Sequence, residues 1–365
     1  MTKPPAAART LAFDILRKVE SGGYASDLLL ERSAGLDSRD AGLATEIVFG
    51  VLRYQAQLDY LIALYSGRAR KLDPEVRLAL RMGIYQLRYL ERVPAHAAVG
   101  DSVELVRRAR KASAAGFVNA VLRQTDRDAV EWPSREIALS CPEWLLARWE
   151  RRYGGAVAEA MARAALEEPG KYRHGGRFQD IGSQSIVPLL EIEPGQRVLD
   201  VCAAPGNKTA QAVEAGARVI AADLHFPRLA QVRGITADLV QLDATRPLPF
   251  PARFDRVLVD APCSGTGTLA RNPEIKWRLK PADLAGLAGR QRAILTNALA
   301  VVAPGGRLVY ATCSLETEEN QSVVEEVVGP ARGWRIAATH ERLPGRDAGD
   351  GFLAAVIKSD EPRNG

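Results

Sequence analysis

From residue 183 onward, short β-branched runs alternate with helical stretches, and this alternation constrains the fold more than any other feature of the chain. The runs fall at residues 197–201, 218–222, 239–242, 256–260 and 307–311. Regular β/α alternation predicts a mostly parallel sheet with helices on both faces. A late pair of runs, 334–339 and 352–357, predicts a closing hairpin at the sheet edge. In open α/β sheets, ligands bind beyond the carboxyl ends of the strands. The residues at those ends are therefore the ones to read for chemistry.

The first third has a different texture. Leu11, Ile15 and Val19 recur at helical spacing. So do Leu58, Leu61, Ile62 and Tyr65, and then Val76, Leu80, Ile84, Leu87 and Leu90. These are the apolar stripes of amphipathic helices. Pro74 suits a helix start, and Asp101 or Ser102 suits the cap of the next helix. Phe117, Val118, Val121 and Leu122 form a further inward face. Residues 1–130 read as an all-α domain, 131–182 as a helical connector, and 183–365 as the α/β domain. A chain of 365 residues has room for such a division. With 47% hydrophobic and 25% charged residues, it is neither disordered, collagen-like nor a disulfide framework.

Net charge is +5, and residues 1–130 carry all of the excess, with 20 Lys+Arg against 15 Asp+Glu. Arg107, Arg108, Arg110 and Lys111 concentrate it. A charge run of this kind is either a solvated helix face or a phosphate-contacting surface. The apolar stretches are too short to predict a membrane span, and Met1–Pro5 lacks the apolar core of a leader peptide. A cytoplasmic protein is the expectation. Cys141, Cys202, Cys263 and Cys313 are widely spaced, as are the four histidines, so no metal site is expected.

At the strand ends, the first run passes into Cys202-Ala203-Ala204-Pro205-Gly206-Asn207-Lys208, where small residues let a ligand approach the backbone and a helix from Thr209 presents its N-terminus. This is neither a phosphate loop of the G-x-x-x-x-G-K-[ST] type nor a dinucleotide G-x-G-x-x-G loop. The next strands end in Asp223, placed for a ribose diol, in Asp243, placed for an adenine edge, and in Asp260. One strand-end Asp is ordinarily a cap or turn residue. Three in consecutive βα units favour an adenosyl ligand without a polyphosphate.

Two strands end in cysteine motifs, Asp260-Ala261-Pro262-Cys263-Ser264-Gly265 and Tyr310-Ala311-Thr312-Cys313-Ser314. A lone cysteine is ordinarily a small buried hydrophobe. Two of them flanking one pocket point to chemistry. Thiolates attack electron-poor carbons. Addition of a thiolate to C6 of a cytosine makes C5 enamine-like and able to accept an electrophilic methyl group. Asp260 is placed to hydrogen-bond N3 and the exocyclic amine.

These motifs resemble the RNA 5-methylcytosine methyltransferases of the Sun/RsmB family. The resemblance spans Val198–Lys208, Phe254–Arg278 with its Arg271-Asn272-Pro273-Glu274-Ile275-Lys276-Trp277 run, and Gly305–Asn320. It reaches Phe178-Gln179-Asp180 with Ser183-Gln184, and Asp350-Gly351-Phe352. Residues 6–125 resemble the NusB-type helical RNA-binding domain that precedes the catalytic domain in that branch. The resemblance implies a Rossmann-like methyltransferase sheet that uses S-adenosylmethionine. It implies Cys313 as nucleophile, Cys263 as the cysteine that assists release, and Asp260 between cofactor and cytosine; Lys208 is a fourth catalytic candidate. Cys202–Lys208, Asp223, Asp243 and Asp260 match the cofactor contacts. DNA cytosine methyltransferases use the Pro-Cys cysteine instead, so the two families imply opposite phenotypes for Cys263 and Cys313. The implied substrate is one cytosine of small-subunit rRNA, with no membrane or metal partner and a monomeric enzyme. Arg107, Arg108, Arg110 and Lys111 are the candidate RNA contacts.

Two departures from the family stand out. Asn207 replaces the usual glycine. Between Tyr153 and Phe178 the chain lacks the small α/β subdomain, with its Arg-Val-Asn motif, that helps seat RNA. Two alternatives remain open at this point: the same chemistry on tRNA, and a non-catalytic RNA-binding assembly or antitermination factor.

Overall fold

The computed structural model describes residues 4–67, 72–236, 238–251, 253–329, 331 and 333–360. Residues 1–3, part of the N-terminus read for a leader, and 68–71, inside the stretch read as helical, lie outside the described residues. The chain forms two compact units. One comprises residues 1–167 with 270–277, the other 168–269 with 278–365. The expected connector, 131–182, is divided between them.

The first unit is helical among its described residues, as the apolar stripes predict. Helices Ala7–Glu20, Ser38–Arg53, Gln55–Ser66, Pro74–Tyr89, Ala95–Arg108 and Ala115–Gln124 bury one continuous core. Ile15, Ile47, Leu58, Leu80, Ile84, Val106 and Val118 are all fully buried within it. Pro74 opens its helix as expected. The cap expected at Asp101 or Ser102 is not there: that helix starts after Pro94, seven residues upstream of Ser102's own position on its buried face. Asp101 instead accepts a hydrogen bond from Arg9 Nη1 at 3.0 Å, and Arg9 donates through Nε to Gln86. A carboxylate facing a buried guanidinium is satisfied inside a helix, so it has no need of a cap position.

Residues 270–277 belong to this helical unit although their sequence neighbours belong to the sheet. Arg53 donates to the Ala270 carbonyl at 2.9 Å, Lys276 Nζ donates to the Arg53 carbonyl at 2.9 Å, and Trp277 Nε1 donates to the Leu52 carbonyl at 2.7 Å. Glu274 accepts from the Ala25 amide, capping the helix Ala25–Arg32. Glu274, Lys276 and Trp277 of the run that marks the resemblance thus anchor it to the helical unit.

The second unit opens with a short hairpin, β1 (Arg173–His174) and β2 (Arg177–Phe178). Its main sheet contains β3 (Arg197–Asp200), β4 (Arg218–Asp223), β5 (Leu239–Gln241), β6 (Phe254–Asp260), β7 (Val302–Thr312), β8 (Trp334–Arg342) and β9 (Phe352–Ser359). The order is β5-β4-β3-β6-β7-β9-β8. The first five strands are parallel, and β9 and β8 close the sheet as an antiparallel hairpin, as the sequence predicts. Helices Asn207–Glu214 and Asp283–Leu299 are among those that cover it. The strand order reverses at β3, so β3 and β6 flank the crevice where such sheets bind ligands.

Candidate functional site

The parallel register brings the strand-end residues to one edge. Asp200 pairs with Leu258 in β6, Asp223 closes β4, and Asp260 pairs with Ala311 in β7. Cys263 lies three residues beyond Asp260, and Cys313 two beyond Ala311, so adjacent loops carry the two thiols. Their sulfurs stand 3.4 Å apart, each half-buried. The contact with Cys313, burial, and the charge of Glu319 all push the Cys263 thiol up. Cys263 is thereby held toward its neutral thiol form, in hydrogen-bond contact with the Cys313 sulfur, and either sulfur can be the donor.

The loop after β3 is held at several points. Ala203 N donates to the Ala222 carbonyl at 2.8 Å, and Ala204 N to Asp223 Oδ2 at 3.2 Å. Gly206 has φ of 105°, and a Cβ there would stand 2.8 Å from Ile235 Cδ1, so the turn requires glycine. The helix begins at Asn207, two residues earlier than expected, which places Lys208 in its first turn. Asn207 Nδ2 donates to the Phe178 carbonyl at 3.2 Å, anchoring the loop to β2. Lys208 is buried and donates to Asp260 Oδ2 at 2.6 Å. Pro205 is exposed at the tip of the loop.

The acidic residues divide by role. Asp223 is buried and accepts from the amides of Ala204 and His225, so it shapes the loop from below. Asp243 accepts from both the amide and hydroxyl of Thr245, which hold its carboxyl below the usual carboxylate range. That is a turn-residue arrangement on Oδ1, while Oδ2 stands 3.6 Å from Arg246 Nε. Asp200 accepts from Thr209 Oγ1 at 2.7 Å, and its Oδ1 is buried without a partner among the described residues. Burial pushes the Cys202 thiol well up, with the neighbouring Asp200 adding to the effect, so Cys202 is a neutral wall rather than a nucleophile.

Several functional supports were not assigned from sequence. Asp180 caps Ile181–Gln184 and accepts the amides of Gly182 and Asp350 at 2.8 and 2.9 Å, joining two motifs of the resemblance. Gly267 N donates to the Cys313 carbonyl at 2.8 Å, and the Gly267 carbonyl accepts from Gly351 N at 2.8 Å. A Cβ on Gly267 would stand 2.3 Å from the Gly351 carbonyl oxygen, so only glycine lets the three loops meet. Glu319 is fully buried and bonded to both cysteine loops. Nothing in a Glu-Glu-Asn loop sequence distinguishes such a carboxylate from a solvated one.

The basic run on the helical unit is largely engaged. Arg107 pairs with Glu104 at 3.1 Å, Arg108 with Asp14 at 3.0 Å, and Lys111 with Asp73 at 2.9 Å. Arg110 is exposed, with a left-handed φ of 62°. Among the described residues no group of three or more His, Cys, Asp or Glu is arranged to hold a metal ion, and no helix is long and apolar enough to cross a membrane.

The 16S rRNA methyltransferase RsmB/F family model matches residues 187–358, and the NusB family model matches 6–127. The chain is 37% identical over 351 residues to ribosomal RNA small subunit methyltransferase B of Thermus thermophilus, covering 87% of this chain and 86% of that protein. It is 31% identical over 394 residues to a probable ribosomal RNA small subunit methyltransferase B of Bacillus subtilis, covering 88% of each. The crystal structure of PH0851 has the same fold, with a TM-score of 0.79 at 20% identity over 98% of this chain and 100% of that one.

Proposed function

The chain belongs to the ribosomal RNA small subunit methyltransferase B family, and on that premise we propose that it methylates C5 of a cytosine in small-subunit rRNA by way of a covalent Cys313–C6 adduct. The observation that carries the proposal is the pair of thiols 3.4 Å apart at the sheet edge that also bears the Lys208–Asp260 pair.

The residues at this edge fit S-adenosylmethionine. The glycine turn at 206 leaves the loop backbone open, the Asp223 carboxylate lies under it, and Asp200 presents a buried oxygen with no partner among the described residues. The cofactor supplies an electrophilic methyl group. Cys202–Lys208 and Asp223 would hold it, with Asp243 toward its adenine end.

The protein's own part is to make C5 nucleophilic and then to undo the adduct. The Cys313 thiolate adds to C6, forming the S–C6 bond and moving the C5–C6 electron pair onto the ring. Asp260, oriented by Lys208, is assigned to the N3 and exocyclic-amine edge, where its carboxyl accepts from the amine and a proton shared between carboxyl and N3 takes up that charge. After C5 gains its methyl group, it loses its proton to a base, and the returning electron pair expels Cys313. Cys263 stands where it can assist this release. Its thiol, pushed up by the contact with Cys313, burial and the charge of Glu319, is held toward the neutral form that can return a proton to the departing sulfur.

RNA containing 5-fluorocytidine tests the scheme, because fluorine at C5 cannot leave as a proton and the adduct is trapped. The expected product is an SDS-resistant complex whose cross-linked peptide contains Cys313. A cross-link at Cys263 would exchange the two roles, and no cross-link in the presence of cofactor would refute covalent catalysis.

A further inference from the structure

The two thiols are carried by separate loops, and one buried side chain spans both. Glu319 Oε1 accepts from Ser264 N at 2.8 Å, and Oε2 accepts from the Ser264 hydroxyl and from Ser314 Oγ, the latter at 2.5 Å. Ser264 follows Cys263 and Ser314 follows Cys313. The two serine hydroxyls are 3.0 Å apart. Gln291, fully buried on the helix Asp283–Leu299, donates through Nε2 to Glu319 Oε1 and to the Pro262 carbonyl, each at 2.9 Å. Tyr310 donates to the Glu319 carbonyl at 2.7 Å, and fixes the carboxylate's own backbone.

A carboxylate buried this completely is costly unless its oxygens are well supplied with donors. Here Ser264, Ser314 and Gln291 donate from the loops and the helix that frame the thiols, which makes the arrangement a brace between the loops rather than a general core contact. A hydrophobic side chain could fill the volume, but it could not hydrogen-bond two serines and a glutamine at once.

We propose that Glu319 is the positioning residue of the two-thiol site: its buried carboxylate ties the Ser264 and Ser314 loops together and sets the approach of Cys263 to Cys313. Its carboxylate bonds the serines that follow the two cysteines, and so acts through the loops. Its value to catalysis rests on the cytosine reading above. Its effect on the thiols does not. The negative charge also helps Cys263 keep its proton.

The test compares wild type with E319A and E319Q on the full chain. The first readout is oxidation by diamide: two thiols lose two protons and two electrons to form the Cys263–Cys313 disulfide, while the diazene is reduced to the hydrazide. The bridged peptide is quantified by mass spectrometry over time, well below each variant's melting temperature. The second readout is single-turnover methyl transfer to unmethylated small-subunit rRNA, with cofactor affinity measured by calorimetry. E319A is expected to slow both disulfide formation and methyl transfer by about tenfold or more, as misplacement of reacting groups does, with cofactor affinity unchanged. E319Q keeps the shape and an acceptor for Ser264 N, and the serine hydroxyls can turn to accept from its amide, so it should restore most of the disulfide rate. Disulfide formation in folded E319A at the wild-type rate would overturn the proposal, as would equal loss in E319A and E319Q tracking only their melting temperatures. A wild-type protein inactive on RNA, with the disulfide rates still separated by variant, would refute the cytosine reading and leave the brace standing.

Discussion

Replacing Asp200 by Asn isolates an electrostatic cost built into the cofactor edge. Asp200 is 1% exposed, accepts one hydrogen bond from Thr209, and has no partner for Oδ1 among the described residues. Burial pushes its carboxyl from 3.8 up to about 7; the Thr209 bond opposes the rise and nearby Asp260 adds to it. A carboxyl raised on folding binds more protons in the folded state than in the unfolded one. Its stabilising contribution is therefore full below the unfolded value and is lost as pH rises through the folded one. The interval between the two values corresponds to about 4 kcal/mol, of which roughly 2–3 kcal/mol is lost between pH 5 and pH 8. Asn keeps an acceptor for Thr209 and mimics the protonated acid. Urea unfolding at pH 5 and pH 8, with hydrogen exchange over residues 197–212 reporting the sheet unit, should show Asp200→Asn gaining roughly 2–3 kcal/mol on wild type across that interval. Parallel pH dependences in the two proteins would refute the reasoning, because they would mean that Asp200 ionises freely in the folded state.

Other expectations follow from the same geometry. Cys263→Ala should slow release and accumulate an SDS-resistant protein–RNA adduct; loss of RNA binding without any adduct would remove Cys263 from the release step. Asp223→Ala leaves the Ala204 and His225 amides without their acceptor, and should weaken cofactor affinity by roughly 1–3 kcal/mol in calorimetry. Replacing Arg107, Arg108, Arg110 and Lys111 by Gln should lower RNA affinity and flatten its salt dependence. An unchanged slope would leave the run to its pairs with Glu104, Asp14 and Asp73.

Most of the architecture was legible because period and position carry it. The stripes at Leu11, Ile15 and Val19 could only serve a helix, and the five β-branched runs became the five parallel strands. Strand-end residues were legible for the same reason: once the strands are parallel and adjacent, Asp260 and Cys313 must share an edge. The misreadings were long-range. Asp101 looked like a cap because nothing local reveals that Arg9, 92 residues away, needs its charge. The Arg271–Trp277 run carried the resemblance but no assigned role; its Lys276 and Trp277 bond to carbonyls at Arg53 and Leu52, more than 200 residues away. Glu319 was invisible because burial of a charged side chain depends on donors from three separate segments. Asp243 is the intermediate case: the strand end was right, but Thr245 two residues on takes one of its oxygens.

Methyl transfer with a nucleophile control tests the central claim most directly. Wild type and Cys313→Ala are incubated with labelled S-adenosylmethionine and unmethylated small-subunit rRNA, and any 5-methylcytosine is mapped. The account predicts label at C5 of one cytosine with wild type, and none with Cys313→Ala despite intact cofactor binding. Undiminished labelling by Cys313→Ala, or label on an atom other than cytosine C5, would contradict it.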